Sequence, residues 1–147
     1  THTFGKACGC HGAVIVGSAQ LKQYLLNFAR SFVFTTALPE HSINIIKASY
    51  DTFPQMQEER EQLHQLISLF QQAPLKFKRL SSLSPIQIIL IPGNAAAKDL
   101  ALQLQKKGLD LRAILYPSVP KGLERLRIVL HAFNTREELA LLIAALS

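Results

Sequence analysis

The stretch Thr1-His2-Thr3-Phe4-Gly5-Lys6-Ala7-Cys8-Gly9-Cys10-His11-Gly12-Ala13 is the chemically informative one. Glycines at 5, 9 and 12 surround a single lysine and allow tight backbone turns beside its amine. An amine that forms an imine must be held close to its reaction partner and partly desolvated, so that its neutral form is reachable near neutral pH. Threonine hydroxyls and main-chain N–H groups nearby suit a phosphate. The pattern fits a Schiff-base role for Lys6, and it equally describes a solvated loop lysine; spacing alone does not separate the two. Cys8, Cys10 and His11 suggest a metal cluster, yet the sequence offers no second ligand pair, so packing roles and no bound metal are expected. Near the other end, Arg127 alternates with Leu126 and Ile128. That is the pattern of a strand arginine facing solvent.

The elements that must position these residues follow from apolar periodicity. Ala13–Val16 reads as a short buried strand closed by Gly17, with Ser18 as N-cap of a helix over 19–29, whose stripe is Leu21, Tyr24, Leu25, Phe28 and Ala29. Residues 31–36 are β-rich and predict a strand or extended segment. A helix is expected from Glu40 to about Tyr50, then a break at Pro54 and a second helix from about Gln55 to Gln72. The second half reads strand (86–91), helix (94–107, Asn94 as N-cap, Leu100, Leu102 and Leu104 inside, Gly108 as the left-handed cap), strand (111–116), loop (117–122), strand (123–131) and helix. Thr135 and Glu138 make a capping box for this last helix. The expected class is α+β.

At 147 residues with 48% hydrophobic and 18% charged, the chain can bury a core without disulfides. The net charge of +6 raises the question of a polyanionic partner, but the cations are scattered and lack interleaved aromatics, so no nucleic acid is expected. No apolar run reaches the ~18 residues of a membrane span, and no signal-peptide pattern opens the chain. The expectation is a soluble, cytoplasmic protein that does not bind a membrane. Residue 1 is not Met and the first dozen residues read like a protein interior, which suggests part of a longer polypeptide.

Thr3-Phe4-Gly5-Lys6-Ala7-Cys8-Gly9, with Gly12-Ala13 and Gly17-Ser18, resembles the lysine segment of the α-oxoamine synthases, where Thr-x-x-Lys-Ala-x-Gly is typical. Phe28-Ala29-Arg30-Ser31-Phe32-Val33-Phe34-Thr35-Thr36-Ala37-Leu38-Pro39 is similar to the family's following segment. Tyr116-Pro117-Ser118-Val119-Pro120-Lys121-Gly122-Leu123-Glu124-Arg125-Leu126-Arg127 is similar to its Pro-x-Val-Pro-x-Gly-x-x-Arg-Leu-Arg motif. The three motifs stand in family order and spacing over essentially the whole chain.

The resemblance implies a pyridoxal 5'-phosphate enzyme of the aspartate-aminotransferase-like fold. Lys6 would carry the cofactor covalently and act as the base at the substrate's α-carbon, and Thr3 would bind the cofactor phosphate. In the homodimers of the family a partner subunit reaches the same phosphate from the segment matching Thr35 and Thr36. Arg127 would hold the amino-acid carboxylate and Ser118 would stand near the substrate. The reaction implied is decarboxylative condensation of an amino acid with an acyl thioester. The wording favours L-alanine and a pimeloyl thioester, with glycine- and serine-using branches as the alternative. The resemblance also assigns residues 1–52 to the end of the cofactor-binding domain and the start of a connecting helix, and 53–147 to the C-terminal small domain. Only five residues precede Lys6, so the family's Asp at the pyridine nitrogen, its stacking ring and its Gly-rich phosphate loop have no counterpart here. The 147-residue chain by itself is expected to be inactive, a folded piece or interaction module.

Overall fold

A computed structural model describes residues 1–147, which divide into two units, Thr1–Met56 and Gln57–Ser147. In the first, β1 (His2–Thr3) pairs antiparallel with β2 (Ala13–Val14), His2 opposite Val14 and Thr3 opposite Ala13. The strand expected over 13–16 ends early: β1 offers only two residues of ladder, and Ile15 and Val16 lie exposed instead of buried. Helix α1 (Ala19–Phe28) begins as expected, with Leu21 N–H donating to Ser18 Oγ at 3.2 Å.

The β-rich segment 31–36 is not a strand. Arg30–Val33 forms a single helical turn, α2, closed by Val33 N to Ala29 O at 2.9 Å and Phe34 N to Arg30 O at 3.1 Å. β-propensity reflects packing on a neighbouring strand, and this segment has none, so local i to i−4 bonds win. Helix α3 (Glu40–Thr52) follows Pro39, and Pro54 sits in a 3-10 turn (Phe53–Gln55) that separates α3 from α4 (Gln57–Gln72). The break was expected at this proline, which removes an N–H and crowds the preceding turn.

The second unit is an antiparallel sheet in the order β3 (Ile86–Leu90), β5 (Arg125–Val129), β4 (Arg112–Ile114), with α4, α5 (Asn94–Lys106) and α6 (Arg136–Leu146) packed on one face. The register sets Gln87 opposite Ile128 and Ile89 opposite Leu126 on the buried face. It sets Ile88 opposite Arg127, and Arg112 opposite Arg127, on the other. Phe70, Leu66, Leu104 and Leu146 from the three helices close over Ile89, Leu126 and Ile128. The one buried side-chain amide of the sheet, Gln87, is satisfied: it donates to Ser84 O at 2.7 Å and Ser82 O at 3.3 Å and accepts from Gln71.

A fourth edge, invisible to periodicity, comes from residues 78–80, where Leu80 N bonds Ile88 O and Leu90 N bonds Lys78 O. Arg79 turns back from this edge onto the last turn of α4, its guanidinium donating to the carbonyls of Phe70, Gln71 and Ala73. Two details of α5 differ from expectation. Asn94 is its first helical residue instead of its side-chain cap, because its amide is engaged elsewhere. Leu102 is 55% exposed, since the core takes Ala97, Ala101 and Leu104. Gly108, at φ +84°, follows the helix end as expected. The capping box of α6 is present, with Glu138 N donating to Thr135 Oγ1 at 3.1 Å and Thr135 N donating to Glu138 Oε2 at 3.0 Å. No helix is long and apolar enough to cross a membrane.

Candidate functional site

Lys6 stands on the loop 4–12, which the β1/β2 ladder closes at its base. Phe4 N bonds Gly12 O at 2.9 Å, Cys10 N bonds Phe4 O at 3.1 Å, and Gly9 N bonds Lys6 O at 2.9 Å in a tight turn around the lysine. Three residues pin the loop from below. Phe4 is buried with its ring edge-on to Tyr50 at 6.3 Å. Cys10 is buried, its thiol donating to Ser42 O of α3 at 3.5 Å. Gly12, at φ +135°, lies where a Cβ would come within 2.9 Å of Leu38 Cδ1 and 3.3 Å of the Phe4 ring. Glycine is therefore required there by conformation, and a side chain would in addition press on Leu38 and the Phe4 ring. Cys10 is thus a packing residue, Cys8 is half-buried, and no cluster of His, Cys, Asp and Glu able to hold a metal exists.

Above this pinned base Lys6 is exposed, and its amine has neither a hydrogen-bond nor an ion-pair partner. Thr3, on the β1 strand three residues earlier, also has a free, exposed hydroxyl. Thr35 and Thr36 follow α2; Thr35 Oγ1 donates to Ser31 O, which leaves its lone pairs available, and Thr36 is exposed and unengaged.

The other two candidates lie in the second unit. Ser118 is exposed on the loop between β4 and β5, and Arg127 is exposed in the middle of β5 with no carboxylate partner. Arg125, two residues earlier, donates to Leu123 O instead. Arg112, opposite Arg127, is paired with Asp110 at 3.0 Å. Arg127 is thereby the free guanidinium of this strand. The side chains of Thr3, Lys6, Thr36, Ser118 and Arg127 are all capable of strong hydrogen bonds and make none within the chain.

Sequence reading missed two residues that shape this second region. Asn94 gives both halves of its amide to one backbone unit: Oδ1 accepts from Tyr116 N at 3.0 Å and Nδ2 donates to Tyr116 O at 3.2 Å. Glu124 is 2% exposed, and one oxygen, Oε2, accepts from Gly93 N and Gly122 N, both at 2.9 Å. Bonds from the Gly93 N–H, its own N–H and the Gly122 N–H, with the Lys121 charge nearby, hold its carboxyl below its ordinary pKa against the opposing effect of burial. The signal available in the sequence was an acidic residue at the mouth of a strand whose other charges are both arginines, two places after a glycine.

A family model for aminotransferase class I and II matches residues 1–146. The chain is 38% identical over 146 residues to the 8-amino-7-oxononanoate synthase of Aeromonas salmonicida, covering 98% of this chain and 37% of that protein. It is 37% identical over 147 residues to the synthase of the same name from Marinobacter nauticus, again covering 37% of the relative. The chain therefore spans less than two fifths of the length of these curated relatives. Among solved structures, the 8-amino-7-oxononanoate synthase of Francisella tularensis superposes with a TM-score of 0.79 at 28% identity, over 97% of this chain and 43% of that one. A serine palmitoyltransferase of Sphingomonas wittichii superposes with a TM-score of 0.83 at 23% identity, over 98% and 37%, a likeness of fold.

Proposed function

We propose, for a chain that belongs to the aminotransferase class I and II family, that it is the C-terminal part of a pyridoxal-phosphate-dependent acyltransferase of biotin biosynthesis. The reaction joins L-alanine to a pimeloyl thioester with loss of carbon dioxide and gives 8-amino-7-oxononanoate. The single observation that carries the reading is the pinned loop that presents Lys6: its base is fixed by Phe4, Cys10 and Gly12, and the amine, exposed and without a partner in this chain, is left for a ligand to engage and desolvate. The identity of 36–38% to synthases of this name over nearly the whole chain supports it.

The residues present fit the aldehyde and phosphate ends of the cofactor, an amine for the one and hydroxyls for the other. The Lys6 amine would hold its carbonyl carbon, and the free hydroxyl of Thr3 would hold its phosphate, joined in a homodimer by Thr35 and Thr36 of the partner subunit. When bound, pyridoxal phosphate supplies an electron sink for the negative charge that develops at the amino acid's α-carbon. The chain's own residues do the rest. Lys6 takes the proton from that carbon, and Arg127, free on β5, pairs with the α-carboxylate through two parallel N–H bonds. The Ser118 hydroxyl lies on the loop leading into the same strand and offers a hydrogen bond to the substrate. A carbon–carbon bond then forms between the α-carbon and the thioester carbonyl as the carbon–sulfur bond breaks, the thiolate leaves and takes a proton from solvent, the carboxylate departs as carbon dioxide, and the proton held by Lys6 returns to the α-carbon. The proposed division is 1–52 for the end of the cofactor-binding domain and the start of the connecting helix, and 53–147 for the small domain.

A second reading keeps the chemistry and changes the amino acid to glycine or serine, and the fold likeness to serine palmitoyltransferase favours keeping it in view. The test is Lys6→Ala in the complete enzyme that contains this segment. The expected result is loss of the cofactor's visible absorbance and of alanine-dependent thiol release. Retention of both overturns the lysine assignment. Turnover of glycine or serine in preference to alanine by the unaltered enzyme selects the second reading.

A further inference from the structure

We infer that Asn94 and Glu124 are positioning residues: together they clasp both ends of the 116–122 loop to the start of α5 and so set where Ser118 and Arg127 meet the amino-acid substrate. The inference rests on the functional reading above, which gives Ser118 and Arg127 their roles.

The geometry has three parts. The fixed post is the turn Gly93–Asn94 at the start of α5, where Gly93 takes φ +99° and Asn94 begins the helix. The loop's first residue, Tyr116, is held by the Asn94 amide through both its N–H and its C=O. One side chain thereby supplies the pair of bonds a neighbouring strand would have given. Only a carboxamide can do this, since it donates and accepts at once; an aspartate would set an acceptor against the Tyr116 carbonyl. The loop's last residue, Gly122, at φ +84°, is held by Glu124 Oε2, and the same oxygen binds Gly93 N of the post. Glu124 is itself anchored in the sheet edge, its C=O accepting from Ile91 N at 2.8 Å.

Entrance and exit of the loop are thus tied to one point, with two internal bonds, Val119 N to Leu115 O at 3.2 Å and Leu123 N to Pro120 O at 3.0 Å, tightening what lies between. Ser118 sits inside that span, while Arg127 is three residues beyond Glu124 on the strand that Glu124 begins. Glu124 is buried and the hydrogen bonds of both side chains go to backbone, so their role is to position the loop. Their contribution is to remove freedom from the groups that do bind, which lowers the ordering cost of substrate binding.

The test has two arms. In the first, amide resonances of the 147-residue chain are followed by nuclear magnetic resonance as pH is lowered. The Gly93 and Gly122 amide protons are expected to shift together through one midpoint below 4.5, and Glu124→Gln is expected to abolish that shared titration. Independent or absent titration overturns the clasp. In the second, the complete enzyme carrying Asn94→Asp or Glu124→Gln is assayed. KM for the amino acid is expected to rise about tenfold for each, the loss of roughly one well-made bond's worth of preorganisation, with the cofactor spectrum unchanged and kcat altered less. An unchanged KM, or kcat and spectrum falling together, overturns the positioning role. An unaltered enzyme lacking any lysine-dependent cofactor spectrum instead overturns the functional reading, while the first arm still decides whether the clasp exists.

Discussion

Arg79→Ala tests how the second unit is held together, because one side chain there closes a helix and steadies a sheet edge. Its Nη1 donates to Phe70 O at 2.7 Å and Ala73 O at 3.0 Å, its Nη2 donates to Gln71 O, and its guanidinium lies 5.7 Å from the centre of the buried Phe70 ring. These three carbonyls belong to the end of α4, where backbone donors run out, only Phe70 O being reached by a local N–H, that of Ala73 at 3.3 Å, and where a positive charge is favoured by the helix dipole. Hydrogen bonds to charged groups are each worth about 1.5–3 kcal/mol net, and the ring contact adds about 0.5–1 kcal/mol. The half-buried setting lets water replace part of this, and release of the long side chain returns about 2 kcal/mol of rotamer entropy. The expected loss is about 3 kcal/mol. Arg79→Lys, whose ammonium cannot fork to three carbonyls, should lose about 1–2 kcal/mol. Urea unfolding followed by circular dichroism, with hydrogen exchange at the last turn of α4 and at Leu80 and Leu90, reads both consequences. Lys78→Ala, one residue away and exposed, serves as the control and should stay within about 0.5 kcal/mol of the parent. An Arg79→Ala loss no larger than the control's refutes the reasoning, and so does a loss that disappears at high salt, which would make the contact ordinary surface electrostatics.

Two further outcomes follow from residues already placed. In the complete enzyme, Arg127→Lys should raise KM for the amino acid by about ten- to a hundredfold, since an ammonium cannot pair bidentately with a carboxylate, while thermal stability stays within about 0.5 kcal/mol because the residue is exposed and unpaired; a lost fold or an unchanged KM contradicts it. Glu138 is held below its ordinary carboxyl value of 4.5 first by the Thr135 N–H and then by the Asn134 amide. Its folded pKa lies under its unfolded one, so its stabilisation is fully present above the unfolded value and is lost as pH falls through the folded one. Thermal unfolding compared at neutral pH and below 4.5 should show a decline that Glu138→Gln flattens, and an equal decline in both proteins would remove Glu138 as its source.

Much of this was legible in the sequence wherever period and cap chemistry agreed. Ser18 begins α1, Pro54 separates α3 from α4, Thr135 and Glu138 box the start of α6, and Leu126, Ile128 and Leu130 alternate into the core. The failures share one physical cause, which is that the presence or absence of a partner elsewhere in the chain decides, and local residue types do not reveal it. Residues 31–36 have strand composition but no strand beside them, so 31–33 coil into α2 and the rest is turn and loop. Residues 78–80, for which periodicity predicts no element, become a sheet edge because Ile88 and Leu90 offer free backbone groups. Asn94 has the type of an N-cap, and Tyr116, 22 residues away, outcompetes its own helix for the side chain. Of the candidate site, Lys6, Thr3, Ser118 and Arg127 could be chosen from motif and residue type, whereas the residues that fix the loops beneath them could not.

That contrast explains how an arginine free of any partner can still be accurately placed. Side chains on a strand alternate between faces, so a slip of one residue would carry Leu126, Ile128 and Leu130 into solvent and Arg127 into the core. Burial of three apolar side chains, each worth about 1.5–3 kcal/mol, opposes that slip far more strongly than any contact Arg127 could make for itself. The strand's outward face is therefore specified by its inward one. Arg127 can be left entirely to its ligand, and changes to Arg127 should separate binding from stability in a way that changes to Leu126 or Ile128 cannot.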